Sequence, residues 1–327
     1  MNKTVFTCGD INGIGPEIVI KTLNRSAVNS KDKFVFVCPE NIFNKAARIV
    51  KPEFDYIISN DINDAIGGVA VLSPGNFKSD TGKPTVHSGR AAFKSIRYAF
   101  QLVKDGVCDS IVTAPISKKA IHLAGEKFPG HTEMFAEWSH VKNFVMMFLS
   151  AKMNAALFTI HDPIKNIPSL LKKESLLDKL SVVVKSLRID LGIPWPKIAV
   201  LGLNPHAGED GVIGKEENEI IIPALVYGKY KKYLSGPFSP DAFFASRNFK
   251  NFDLVFGMYH DQVLIPFKLI NFGIGVNFTA GLPIVRTSPD HGTAFDIAGR
   301  GIADESSMLH AYHYAKRIVR NRKRNEK

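Results

Sequence analysis

The stretch FDLVFGMYHDQVLIPFK, residues 252–268, sets an apolar run directly against a histidine, an aspartate and a glutamine. DLVFGM (253–258) reads as a buried strand, and titratable groups at the C-terminal end of a strand are where open α/β proteins build their sites. By itself the stretch also fits a hydrated strand end with His260 and Asp261 in solvent. Working outward, short apolar or β-branched runs alternate with longer helical patterns along the whole chain. TVFTC (4–8), FVFVC (34–38), VAVL (69–72) and SIVTA (110–114) read as strands. FVMMFL (144–149), AALFTI (155–160), KIAVLGL (197–203) and GVNFT (275–279) follow in the second half. Between them lie patterns such as SGRAAFKSIRYAFQLVKDG (88–106), a helix opened by serine and closed by glycine. This alternation predicts an α/β fold of βαβ units with mostly parallel sheets and helices on both faces.

With 327 residues, 45% of them hydrophobic, the chain can bury a full core and is long enough for two domains. It contains no apolar run of membrane-spanning length and begins on a strand within a few residues, which predicts a cytoplasmic protein with no membrane partner. Cys8, Cys38 and Cys108 are odd in number and far apart, so they suit a reducing compartment and not a disulfide frame. The net charge of +11 raises the question of nucleic acid. KRIVRNRKRNEK (316–327) carries seven basic residues and one acidic, and the remainder of the chain is only mildly basic at +5. A basic end suits a helix C-terminus, and no nucleic-acid motif accompanies it, so no nucleic-acid partner is expected.

Several strands end in chemically loaded turns. His161 follows AALFTI, His206 lies in LGLNPHAGEDG, and His260 lies in VFGMYHDQ. Strand ends of a parallel sheet can converge on one crevice, and three imidazoles with an open fourth position suit Zn²⁺ or a similar divalent ion. A single strand-end histidine is also a common surface group. Lys268, Asn277 and Arg286 look made for an anion, Arg286 by its planar fork and Lys268 as a point charge. Ordinary surface charge is the alternative for each. GDINGIGPE (9–17) is not the dinucleotide fingerprint, because Ile18 takes the third glycine's place and Pro16 lies inside it.

GDINGIGPEI, TAPISKKAI, GHTEMFAE, LNPHAGEDG, GPFSPDAFF, MYHDQVLIPFK and VRTSPDHGTAFDIAGRGIAD occur in an order that resembles the PdxA family, the 4-hydroxythreonine-4-phosphate dehydrogenases of pyridoxal phosphate (vitamin B6) biosynthesis. More distantly, GIGPE and HGTAFDIAGRGIA resemble isocitrate and isopropylmalate dehydrogenases. The resemblance implies a two-domain α/β/α homodimer, with the site in the interdomain cleft and shared across the subunit interface. It places a cofactor-binding domain at 1–115 plus 275–327, and a central domain with metal, substrate and dimer contacts at 116–274. It implies NAD (or NADP) and one divalent metal ion (Zn²⁺, Co²⁺ or Mg²⁺). The reaction implied is oxidation of a small phosphorylated substrate, 4-phosphooxy-L-threonine, at its 3-hydroxyl, with decarboxylation to 3-amino-2-oxopropyl phosphate.

Carried onto this sequence, the resemblance makes His161, His206 and His260 metal ligands, with His260 facing its counterparts across the interface. His131, Thr132, Lys268, Asn277 and Arg286 match substrate-binding positions, and Lys268 is the candidate for proton transfer. Gly292, Thr293 and Asp296 match the cofactor loop, where Asp296 would meet the ribose or, alternatively, cap a helix near Ile297. Asp261 would orient the His260 ring or cap the following turn. The first loop departs from the family's GDPAGIGPE at Ile11 and Asn12. Two other functions are the alternatives. One is a dehydrogenase of a phosphorylated four-carbon sugar acid, threonate or erythronate 4-phosphate. The other is a non-redox phosphate acyltransferase, whose chemistry needs no three-histidine site.

Overall fold

In the computed structural model, which describes residues 1–59 and 68–326, the chain divides into two compact units. The first comprises Met1–His140 and Pro283–Val319, the second Val141–Leu282 and Arg320–Lys327. Residues 116–140 thus fall with the N-terminal strands, and 275–282 with the central ones.

The first unit runs β1 (Lys3–Thr7), α1 (Gly15–Ser26), β2 (Lys33–Val37), α2 (Glu40–Ile49), β3 (Tyr56–Ser59) and β4 (Val69–Leu72). It continues through α3 (Val86–Lys104), β5 (Ser110–Thr113), α4 (Lys118–Leu123) and α5 (His131–Trp138). The second unit supplies β6 (Val145–Leu149), β7 (Ala155–Leu157), α6 (Ile167–Leu170), α7 (Lys173–Ile189), β8 (Ile198–Leu201) and α8 (Ile222–Tyr227). It goes on with β9 (Leu234–Phe238), α9 (Pro240–Ala245), β10 (Leu254–Gly257), α10 (His260–Ile270) and β11 (Val276–Ala280). The chain then forms β12 (Val285–Pro289) in the first unit, and α11 (Ser306–Asn325) follows it.

Within the first unit the strand order is β3-β4-β2-β1-β5-β12, and every pairing is parallel. Residues of β1, β2, β4 and β5 are buried almost throughout, as expected of strands covered on both faces. In the second unit the order is β11-β6-β7-β10-β8-β9. β6 is antiparallel to both β11 and β7, whereas β7, β10, β8 and β9 run parallel. A core of Phe148, Leu157, Leu201, Val255, Val263 and Phe267 lies against this sheet.

α3 begins two residues before the serine that the sequence suggested as its start. Thr85 is the N-cap, and Ser88 completes a reciprocal box: Ser88 N donates to Thr85 Oγ1 at 3.0 Å and Thr85 N to Ser88 Oγ at 3.1 Å. The three cysteines are free and buried, and no helix among the described residues is long and apolar enough to cross a membrane.

Candidate active site

In the second unit, β10 lies between β7 and β8, so the three histidine-bearing strand ends are neighbours in the sheet. Beyond the strands the pairing continues: Phe158 N donates to Gly257 O and Thr159 Oγ1 to Met258 O at 2.7 Å. The two chain segments therefore reach His161 and His260 side by side, with ring centroids 6.2 Å apart. Gln262 fastens the third exit. Its Oε1 accepts from Met258 N at 2.7 Å and its Nε2 donates to Gly202 O at 2.6 Å, joining the start of α10 to the loop after β8. That is the structural use of YHDQ: a candidate ligand, its orienter and a tie. Asp261 Oδ1 lies 2.7 Å from His260 Nδ1, the contact expected of an orienting carboxylate, which leaves Nε2 as the candidate ligand atom.

His206 sits on an unusual backbone. His206, Ala207, Gly208, Glu209 and Asp210 all have positive φ, between 41° and 82°, forming a left-handed turn. At roughly 1 kcal/mol or more for each non-glycine residue, such a turn persists only where its surroundings impose it. Buried Glu217 anchors the approach to it and packs against it: Oε1 accepts from Leu203 N (2.7 Å) and Asn204 N (2.8 Å), Oε2 accepts from Asn204 Nδ2 (2.9 Å), and a Cβ on Gly208 would come 2.6 Å from Oε2. A donor set of imidazoles suits a borderline divalent ion. Among the described residues of one chain, however, no three His, Cys, Asp or Glu side chains are grouped closely enough to hold a metal; what one chain brings together is the His161–His260 pair. Lys268 lies eight residues along α10 from His260, about 12 Å down the helix axis. Asn277, on β11, has its buried Oδ1 without a hydrogen-bond partner among the described residues.

The first unit holds a second cluster. Arg286, on β12, is among the largest fully enclosed side chains of the protein. Its Nε and Nη2 donate to Thr113 Oγ1 at 3.1 and 2.7 Å, and its guanidinium stands 5.8 Å from the Phe135 ring centre. Burial lowers Arg286 to about 9, opposed by the Glu133 carboxylate, so it is still a cation at neutral pH. His131, the first residue of α5, is held well below its ordinary pKa by burial and then by the Arg286 charge, and is neutral. Its Nε2 is buried with no hydrogen-bond partner among the described residues, and its ring lies nearly parallel to that of Phe135. Thr132 is buried beside it. A buried cation, a neutral imidazole and the N-terminal turn of a helix make a setting for an anion.

Thr293 carries the third constellation. Its carbonyl accepts from Ile14 N at 3.0 Å, binding the 292–301 loop to the first loop of the chain. Gly292 and Asp296 are exposed on that loop. Residues 294–300 form turns, with Ile297 N donating to Ala294 O, so no helix near Ile297 is there for Asp296 to cap. Neither Glu133 nor Gln262 receives a role from the sequence. Glu133 stands two residues past the helix start in GHTE, and Gln262 two past its histidine, which are the only signals either gave.

Residues 30–315 match the family model described as pyridoxal phosphate biosynthetic protein PdxA. The chain belongs to the PdxA family. It is 40% identical over 320 residues to 4-hydroxythreonine-4-phosphate dehydrogenase of Desulforapulum autotrophicum, covering 95% of this chain and 93% of that one. A relative from Oceanobacillus iheyensis with the provisional name D-threonate 4-phosphate dehydrogenase is 38% identical, covering 95% and 96%. The crystal structure of 4-hydroxythreonine-4-phosphate dehydrogenase from Klebsiella pneumoniae superposes with a TM-score of 0.81 at 35% identity, over 98% of this chain and all of that one. The fold alone is shared with isocitrate dehydrogenase from Methylococcus capsulatus (TM-score 0.50, 12% identity, 100% and 89% covered).

Proposed function

We propose that the protein is a metal- and nicotinamide-dependent dehydrogenase that oxidises 4-phosphooxy-L-threonine at its 3-hydroxyl and releases CO₂, leaving 3-amino-2-oxopropyl phosphate. The observation that carries the phosphorylated substrate is the enclosed Arg286 beside neutral His131, whose buried Nε2 lacks a hydrogen-bond partner among the described residues. Arg286 and the first turn of α5 hold the phosphate, and Thr132 lines the same turn. When bound, the divalent ion supplies charge stabilisation at the substrate oxygen and the nicotinamide ring accepts hydride. His161, His206 and His260 would hold that ion, with Asp261 fixing the His260 ring. Lys268 is the proposed proton carrier for the hydroxyl, and Asn277 orients the substrate's polar groups. Formation of reduced nicotinamide, followed by near-ultraviolet absorbance with added divalent metal, tests the proposal. No signal with either NAD or NADP would refute it and favour non-redox chemistry. Threonate 4-phosphate, run alongside, tests the second reading that the O. iheyensis relative favours.

A homodimer with shared sites is part of the proposal. Ile265, Leu269 and Phe272 are 59%, 80% and 92% exposed along and just beyond the helix that bears His260 and Lys268, an apolar face suited to a second copy. Mixing inactive His260→Ala chains with inactive His206→Ala chains should then restore about a quarter of wild-type activity, because half the dimers are mixed and each holds one intact site. Since His260 already stands beside His161 within one chain, no recovery despite subunit exchange would mean that all three ligands come from one chain.

Cofactor choice is proposed to rest on Asp296. Its exposed carboxylate can accept from the ribose hydroxyls of NAD and would repel the 2′-phosphate of NADP. Asp296→Lys should shift the NAD/NADP ratio of kcat/KM towards NADP by about ten- to a hundredfold. An unchanged ratio would remove Asp296 from ribose recognition.

A further inference from the structure

Asn12 stands where the family's first loop has alanine, and nothing in the reaction proposed above uses it. It is fully buried, and its side chain is heavily bonded. Nδ2 donates to Lys83 O at 2.9 Å and Thr85 Oγ1 at 3.2 Å, and Oδ1 accepts from Asp80 N at 2.7 Å. Its backbone joins in: N donates to Asp10 Oδ1 at 2.9 Å, and the carbonyl accepts from Gly82 N at 2.9 Å. Residues 80–83 are otherwise exposed. Lys45 Nζ reaches Ser79 Oγ and Thr81 Oγ1 through exposed bonds, whereas the bonds from enclosed Asn12 are partly shielded from water, where a hydrogen bond holds more firmly.

The segment that Asn12 secures lies against the 292–301 loop. A Cβ on Gly82 would come within 3.4 Å of Phe295 O, and one on Gly299 within 3.2 Å of Thr81 Cγ2. Gly82 has φ +92°, which favours glycine there. The first loop grips the same loop on a different side. Ile14 N bonds Thr293 O, a Cβ on Gly13 would lie 2.7 Å from that oxygen, and the Glu17 carboxylate accepts from Gly299 N and Gly301 N at 2.5 and 2.8 Å. The loop bearing Asp296 is thus braced by the first loop directly and by residues 80–85 through Asn12.

We propose that Asn12 is a positioning residue for the cofactor: by securing residues 80–85 behind the 292–301 loop, it holds that loop in its binding shape. This rests on the dehydrogenase reading. Preorganisation of this kind acts on affinity and leaves the chemical step alone. Asn12→Ala, which installs the family's residue, should raise both the KM for NAD and the dissociation constant for NADH, read by its fluorescence, about tenfold. kcat and the KM for the phosphorylated substrate should stay within about twofold. Hydrogen exchange should quicken at the amides of Asp80 and Gly82 and across 293–301. Gly82→Ala, which strains the same segment and leaves the Asn12 side chain in place, should move the cofactor constants in the same direction. Unchanged NADH affinity in Asn12→Ala alongside an active wild type would overturn the role of Asn12 alone. A parallel loss of kcat, both KM values and melting temperature would reduce Asn12 to a structural residue. A wild type that neither binds nor reduces NAD or NADP would overturn the dehydrogenase reading, and this inference with it.

Discussion

His206→Asn should fold with near wild-type stability and turn over about a thousandfold more slowly, a loss of roughly 4 kcal/mol in transition-state stabilisation. Asparagine is chosen because His206 has φ +52°, in the left-handed region that asparagine tolerates better than most residues. The imidazole is exposed and belongs to no core, so its removal deletes a candidate ligand and little else. Glu217 still bonds Leu203 N and Asn204, and should keep the turn in place. Treating the wild type with a strong chelator should produce the same loss, reversible by a divalent salt, whereas the salt should not rescue the variant. Metal content measured on both proteins separates ligand loss from misfolding. Full turnover in a demonstrably metal-free preparation would remove the three histidines from the chemistry.

The histidines were legible as strand-end groups, but their adjacency was not. In sequence β7, β8 and β10 are successive parallel-sheet candidates; in space β10 inserts between the other two. Only a crossover, invisible to local patterning, makes His161 and His260 neighbours. All nine stretches read as strands contain strands, because each is a short apolar run that a two-faced sheet must bury. The missed strands fail that pattern for identifiable reasons. β3 is a partly exposed edge strand. β9 carries Gly236-Pro237, which local rules assign to a turn, and it survives as the outer strand beside β8 with an irregular register. β12, VRTSP, is polar yet wholly buried. A hydropathy reading sees a loop there, and the polarity is that of the candidate phosphate site itself. Local rules tend to fail where a chain spends stability on function. The first loop shows the converse. Asn12 looked from sequence like a departure of uncertain effect, and its bonds to residues 80, 83 and 85, nearly seventy positions away or more, were beyond any local rule.

Arg286→Met offers the sharpest test of β12. An enclosed guanidinium pays a large desolvation penalty, reflected in its lowering to about 9. Methionine of similar length removes that penalty but leaves the Glu133 carboxylate without its cation, so the melting temperature of the free protein should fall modestly. Substrate binding should suffer far more. Charge-assisted hydrogen bonds to a phosphate contribute about 1.5–3 kcal/mol each, and losing a two-pronged contact should lower kcat/KM by about 10²–10⁴-fold. Arg286→Lys keeps the charge but gives up the planar fork and should fall between the two. NADH affinity and metal content should be unchanged, because Arg286 clusters with Thr113, His131 and Phe135, none of them a candidate metal ligand or part of the 292–301 loop. Inorganic phosphate should inhibit the wild type competitively and lose its effect on Arg286→Met, which ties the loss to the anion and not to the rest of the substrate. A methionine variant that retains kcat/KM within threefold would place the phosphate elsewhere, and His131 with it.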